Sequence, residues 1–235
     1  MLLSFIIPAF NEEHELSRSI GAIRAAAANL DYEIVVVDDA STDATAAIAE
    51  REGARVVNVS KRQISAVRNA GAREARGDVL FFVDADTQIA PVHVTKALRA
   101  LADGCAGGGA RIQLDDEMPR WARLTARVFC AVYAGLNLGA GAFLFTTAEN
   151  FRRCGGFDEQ YFAGEEIYFT QALKKLGRFT VLPTPVLTSA RKVRMHSPRK
   201  LLVESFSIVL RGPRAVKSRD RLAIWYDGKR ERPVN

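Results

Sequence analysis

The amino-acid sequence predicts an α/β protein with a mostly parallel central sheet and helices on both of its faces. Three observations predict it. Short apolar, β-branched runs alternate with helix-period segments through the first half of the chain. Two of those runs end in acidic clusters, Asp38-Asp39 and Asp84-Ala85-Asp86, at the strand carboxyl ends where such sheets bind ligands. A length of 235 residues, 48% hydrophobic and 26% charged, suits one domain with a substantial core rather than a disordered chain.

The elements follow in order. Leu2 to Ile7 reads as a strand stopped by Pro8, and Glu13 to Ala28 as an alanine-rich helix with Asn11 ahead of it as a cap. Glu33 to Val37 is a buried-type strand. Ser41 or Asp43 then caps a helix that runs through Glu52 and ends at Gly53. Arg55 to Val59 is a third strand, Ile64 to Arg76 a helix closed by Gly77, and Val79 to Val83 a fourth strand. The second half is less regular. Gly107 to Gly109 precede a strand at Ala110 to Leu114, and Pro119 opens a helix at about Arg120 to Tyr133. Ala142 to Thr146 is another buried strand, and Gly155-Gly156 mark a turn. Glu165 to Leu176 is helical, and Thr180 to Leu182 and Val186 to Thr188 are short strands parted by Pro183 and Pro185.

Three cysteines, Cys105, Cys130 and Cys154, show neither metal spacing nor a disulfide framework, which favours a reducing, cytoplasmic setting. The opening MLLSFIIPAFNEE lacks the basic segment and cleavage site of a signal peptide. The longest apolar stretch, Val128 to Phe145, is broken by Asn137 and three glycines, which weakens a transmembrane reading. The net charge of +6 concentrates in the C-terminal stretch, from Arg191 and Lys192 to Arg219 and Arg221. Such a surface suits diphosphates or anionic lipid headgroups, or is simply a solvated face. Nucleic acid is disfavoured, because few aromatics accompany these charges and no reading motif appears.

The acidic clusters carry the candidate chemistry. Strand alternation points Asp84 and Asp86 to one side, and two converging carboxylates need a cation or hydrogen-bond donors to offset their repulsion. Magnesium or manganese, completed by substrate phosphates, would do so; a pair of exposed turn aspartates is the plain alternative. Asp38 and Asp39 can accept hydrogen bonds from a base or ribose. Arg68 and Asn69 offer a cation and an amide near the same sheet edge, for a diphosphate or for a salt bridge.

Taken together these segments resemble the family-2 glycosyltransferases. Ser4 to Glu13 (SFIIPAFNEE) is similar to their opening strand and loop, and Val35 to Asp43 (VVVDDASTD) to their nucleotide-binding turn. Arg68-Asn69-Ala70-Gly71 and Asp84-Ala85-Asp86 follow in the family's order, then Gly155-Gly156-Phe157-Asp158-Glu159 and Glu165-Glu166. The resemblance spans roughly residues 2 to 190. It implies the GT-A fold: a nucleotide-sugar donor half over residues 1–115 and an acceptor half over 116–190, with 191–235 a basic extension.

The resemblance also implies roles. Pro8, Phe10, Glu12 and Asp39 would hold the base and ribose, with Asp38 nearby and Arg68 assisting. Asp84 would face the ribose or a metal-bound water, and Asp86 would bind the Mn2+ or Mg2+ that bridges the diphosphate. His196 is a candidate third ligand. Arg191, in the segment Thr188-Ser189-Ala190-Arg191, would lie near the donor phosphates. Glu166 stands where the family usually has an aspartate as general base, with Glu165 beside it. The implied reaction is metal-dependent transfer of a sugar from a nucleoside diphosphate donor to a hydroxyl acceptor (saccharide, small molecule or lipid), with inversion. A polyprenyl-phosphate acceptor at the membrane surface is the alternative enzyme, with peripheral membrane contact. A binding module that kept the donor half but lost the base is the non-enzymatic one.

Overall fold

A computed structural model describes residues 1–115 and 135–191. Its centre is an eight-stranded sheet in the order β3-β2-β1-β4-β7-β6-β8-β5. The strands are β1 (Leu3–Ala9), β2 (Tyr32–Asp39), β3 (Arg55–Val59), β4 (Val79–Val83), β5 (Thr87–Gln88), β6 (Cys105–Leu114), β7 (Phe143–Thr147) and β8 (Arg178–Thr188). β1 to β4 pair in parallel, β7 runs antiparallel between β4 and β6, and β8 lies parallel to β6. The helices are α1 (Leu16–Ala26), α2 (Thr45–Arg51), α3 (Ile64–Glu74), α4 (Pro91–Ala102), α5 (Ala148–Cys154) and α6 (Glu165–Lys174).

The apolar runs are continuous because both faces of the sheet are covered. Side-chain alternation divides each strand between two cores. Leu3, Phe5 and Ile7 of β1, with Phe81 of β4 and Phe143 of β7, pack against α1, α2 and α4. Ile6, Val35, Val37, Phe82 and Leu144 face the other way, against α3 and α6. On that second face Phe157 stacks on Phe169 with centroids 4.1 Å apart, and meets Phe82 edge-on at 4.9 Å. α3 reaches the sheet through Gly71, where a Cβ would stand 2.4 Å from Ile6 Cγ2 and 2.7 Å from Val37 Cγ2.

Several boundaries differ from the sequence reading, each for a local reason. Pro8 lies inside β1, opposite Val37. The pairing of β1 with β4 ends at Ile6, so Pro8 sits where the strand has β2 as its neighbour and a lost N–H is tolerated. Asn11 is not a helix cap. Its φ is 53°, its side chain accepts from the Thr42 N–H, and α1 begins later, at Leu16. Gly107 to Gly109 belong to β6 itself, and at Gly108 a Cβ would meet Phe145 Cζ at 2.3 Å. β8 is one strand despite its prolines: the register moves from Ala110↔Leu182 to Ile112↔Val186, leaving Pro183 and Pro185 in an unpaired bulge. The helix expected at Arg120 to Tyr133 lies outside the described residues, and no described helix is long and apolar enough to cross a membrane.

Candidate active site

The carboxyl ends of β1, β2 and β4 build the floor of the site. The loop after β1 is tied to the loop after β2: the Asn11 N–H donates to Ser41 Oγ at 2.9 Å and the Glu12 N–H to Thr45 Oγ1 at 2.7 Å. Asp39 ends β2 buried. Its Oδ1 accepts from the Lys61 N–H at 2.6 Å and the Arg62 N–H at 3.0 Å, pinning the turn after β3. Asp38 is buried beside it. Its Oδ2 accepts from the Ser41 N–H at 3.4 Å, while Oδ1 is buried with no hydrogen-bond partner among the described residues. The Arg62 guanidinium lies 3.4 Å above the Phe10 ring, a cation–π contact.

The second wall forms where β8 returns beside β5, with Thr87 opposite Thr188. Thr188 Oγ1 donates to Asp86 Oδ1 at 3.2 Å, and Arg191 Nη2 stands 3.2 Å from Asp86 Oδ2. Arg191 also grips Glu12 with both Nη atoms, Nη2 lying 2.6 Å from Oε1. Burial opposes the Arg191 charge, but Glu12 and Asp86 outweigh it and its pKa is raised. Three residues far apart in sequence are thus brought into one cluster of alternating charge.

Arg68, on α3, lies between the end of β4 and the start of α6. Its side chain is 2% exposed. Nη1 donates to Glu165 Oε1 at 2.6 Å, and Nη2 to Asp84 Oδ1 at 2.8 Å and to the Gly141 carbonyl at 3.0 Å. Burial disfavours this cation, yet Asp84 and Glu165 together raise its pKa. Asn69, next on α3, accepts from the Phe157 N–H at 2.9 Å and donates to the Phe157 carbonyl at 2.8 Å and Glu159 Oε1 at 2.9 Å. The Arg68-Asn69 pair therefore clamps the segment after α5 and the start of α6 onto α3.

Glu165 and Glu166 open α6, after Gly164 in the left-handed region. Their side chains diverge as adjacent helical positions must: Glu165 is buried on Arg68, whereas Glu166 keeps part of its surface exposed. Loss of hydration and the neighbouring Glu165 charge push the Glu166 carboxyl up to about 8, with Arg68 partly offsetting them.

Most of the expected site residues converge at this end of the sheet, with Pro8 buried in β1 and Phe10 following it. Arg68 turns inward to Glu165 and Asp84, and Glu12 and Arg191 pair with each other. His196 and nearly all of the basic extension lie outside the described residues. Among the described residues, no three His, Cys, Asp or Glu side chains group as a metal cluster. Sequence reasoning missed Arg62, which reads as a plain basic dipeptide with Lys61; nothing in the sequence signals its stacking on Phe10. The part of Thr188 in orienting Asp86 was equally hidden, because it depends on where β8 returns.

Known proteins share this architecture. A mannosyltransferase from Pyrobaculum calidifontis, solved in complex with GDP-Man and Mn2+, superposes with a TM-score of 0.63 at 21% identity, covering 80% of this chain and 56% of that one. In sequence, the chain is 36% identical over 109 residues to a dolichol-phosphate mannosyltransferase of Pyrococcus furiosus, covering 44% of this chain and 31% of the relative. It is 34% identical over 137 residues to an undecaprenyl-phosphate 4-deoxy-4-formamido-L-arabinose transferase of Pseudomonas aeruginosa, covering 54% and 40%. The matches thus span well under half the length of these relatives. The sequence model of glycosyl transferase family 2 matches residues 4–175, and on that match the chain belongs to this family.

Proposed function

We propose that the protein transfers a sugar from a nucleoside diphosphate donor to a hydroxyl acceptor, with inversion at the anomeric carbon. The observation that carries this reading is the division of labour at the start of α6. Arg68 holds Glu165, while Glu166 stays partly exposed with its pKa pushed up to about 8. A base works best with a pKa near the operating pH. The ionised Glu166 takes the acceptor hydroxyl proton as that oxygen bonds to the anomeric carbon, and the bond from that carbon to the diphosphate oxygen breaks with its electron pair. Asp38 and Asp39 hold the base and ribose, and Phe10 supplies an apolar face. Arg191, beside Asp86, presents a cation to the phosphates.

The residues fit a hard divalent ion of the kind implied, Mn2+ or Mg2+. Asp86 is 13% exposed, and among the described residues Thr188 meets one of its oxygens and Arg191 the other. One or two carboxylates completed by phosphate oxygens is how such ions are held in phosphate-binding sites. Asp86 would be the ligand, with Asp84 beside it. When bound, the ion would stabilise negative charge on the leaving diphosphate as a Lewis acid.

A second reading is favoured by the relatives, which are named for dolichol-phosphate and undecaprenyl-phosphate: a polyprenyl-phosphate acceptor at a membrane surface, which the basic stretch from Arg191 onward suits. An ionised phosphate oxygen needs no base, so the two acceptors make different demands on Glu166. The test is sugar transfer from UDP-glucose, UDP-GlcNAc and GDP-mannose, with manganese, to mixed saccharides or to undecaprenyl phosphate in detergent. Transfer to a hydroxyl that collapses in Glu166→Gln supports the first reading. Transfer to the lipid phosphate that survives this substitution supports the second. Neither transfer nor donor hydrolysis, with nucleotides still bound, would leave a binding module.

A further inference from the structure

Arg191 stands between two carboxylates and holds them unequally. Both of its Nη atoms grip Glu12, with Nη2 lying 2.6 Å from Oε1, the bidentate geometry that makes an arginine–carboxylate pair strong. Asp86 Oδ2 receives one longer contact, from Nη2 at 3.2 Å. The two acids are also fixed differently. Glu12 is 6% exposed and anchored through its backbone: its N–H donates to Thr45 Oγ1, and its carbonyl accepts from the Glu15 and Leu16 N–H groups. Asp86 is oriented by a hydroxyl relay, Thr87 Oγ1 donating to Thr188 Oγ1 at 3.0 Å and Thr188 Oγ1 to Asp86 Oδ1 at 3.2 Å. Arg191 is therefore hinged on Glu12 and only leans on Asp86.

We propose that Glu12 is a positioning residue and Arg191 an exchangeable counter-ion. The guanidinium neutralises Asp86 until a metal and a diphosphate arrive, then leaves Asp86 for the diphosphate while Glu12 keeps hold of it. This rests on the reading of Asp86 as the metal ligand given above. A divalent cation and a guanidinium on one carboxylate repel each other, so Arg191 opposes the binding of metal alone. A diphosphate reverses that sign, because its oxygens accept from the guanidinium and coordinate the ion at once. Metal and nucleotide thus bind as a pair, each weakly without the other, and Arg191 is the source of that coupling. Glu12 acts through Arg191 and not by touching the donor. That differs from the base- and ribose-holding role implied by its place in the opening loop.

The experiment measures two affinities of the full chain: manganese chloride alone, from the paramagnetic resonance of the free ion, and UDP or GDP in excess manganese, by calorimetry. Wild type is compared with Glu12→Gln, Glu12→Gln/Arg191→Met and Asp86→Asn. The double variant removes both charges together, so neither is left buried alone. It should bind manganese alone at least roughly threefold more tightly than wild type, because the competing cation is gone. It should bind the nucleotide roughly tenfold more weakly, the scale of one charge-assisted hydrogen bond. Glu12→Gln leaves the guanidinium on Asp86, so manganese alone should bind no better than in wild type, while the nucleotide again weakens by roughly tenfold. A side chain that merely propped the fold would weaken both ligands in both variants. Manganese affinity that fails to rise in the double variant overturns the inference. So does nucleotide affinity unchanged in Glu12→Gln, a near-isosteric change that keeps the test open if the double variant does not fold. Asp86→Asn separates the two failures: if it binds manganese and nucleotide as wild type does, the metal reading of Asp86 falls and takes this inference with it.

Discussion

Replacing Arg68 by methionine tests whether the start of α6 and the end of β4 are held together by one buried cation. The side chain is 2% exposed and its two carboxylate partners differ: Glu165 is 7% exposed and Asp84 35%. Removing the cation strands Glu165 in the interior, and breaking a buried ion pair from one side costs about 3–5 kcal/mol. The Asp84 end is about a third exposed and adds about 1 kcal/mol. The Gly141 carbonyl also loses its donor. Urea unfolding followed by fluorescence reads the total. With a slope of roughly 3 kcal/mol per molar for a chain of this size, the Arg68→Met midpoint should fall by about 1 M or more. The double variant Arg68→Met/Glu165→Met removes both buried charges and should recover much of the loss, since an apolar pair of similar volume replaces an ion pair at little cost. A single variant within about 1 kcal/mol of wild type would refute this reasoning. So would a double variant no more stable than the single.

Glu166→Gln should lower turnover to a hydroxyl acceptor by roughly two to four orders of magnitude while leaving donor affinity intact. In wild type, turnover should climb as pH rises through about 8, because the carboxyl must ionise to accept a proton; the Gln variant should show no such limb. Stability follows the opposite sign. A carboxyl whose folded pKa is raised from 4.5 to about 8 costs no stability below 4.5, where both states are protonated, and destabilises the folded state progressively as pH rises from there through about 8. Glu166→Gln should therefore unfold less readily than wild type at alkaline pH, and equal pH dependence in the two proteins would count against the shift. Asp86→Asn should weaken manganese-dependent binding of UDP or GDP far more than binding of the bare nucleoside; affinities that ignore excess chelator would remove Asp86 as a ligand. Gly71→Ala forces a Cβ against Ile6 and Val37 and should cost about 1–3 kcal/mol by overpacking, read as a lowered melting temperature; an unchanged one would mean α3 can lift from the sheet.

Local chemistry made the first four strands legible in the sequence. β3 and β4 were read to the residue, as Arg55–Val59 and Val79–Val83, because buried parallel strands are short apolar runs with sharp polar ends. The two aspartate clusters were placed at the ligand-binding end of the sheet for the same reason. Where local rules met long-range pairing they failed. Pro8 was read as a strand stop and Pro183 and Pro185 as a gap, since a proline's fitness for a strand depends on whether its neighbour is there to be paired. Asn11 was read as a cap, but its amide is used by Thr42.

The partners of the charged residues were decided by the tertiary structure alone. Glu165 and Glu166 are adjacent acids at a helix start, and nothing local distinguishes them. Only the arrival of Arg68, 97 positions away, buries one and leaves the other to carry the raised pKa. Arg191 meets Glu12 across 179 positions because β8 returns beside β5. The Arg62 contact with Phe10 needs β1, β2 and β3 already in register. Which residues are apolar, acidic or helix-breaking is written along the chain. Which charge ends within 3 Å of another is set by sheet order and crossover, because Coulomb and hydrogen-bond energies depend on distance in space and not in sequence.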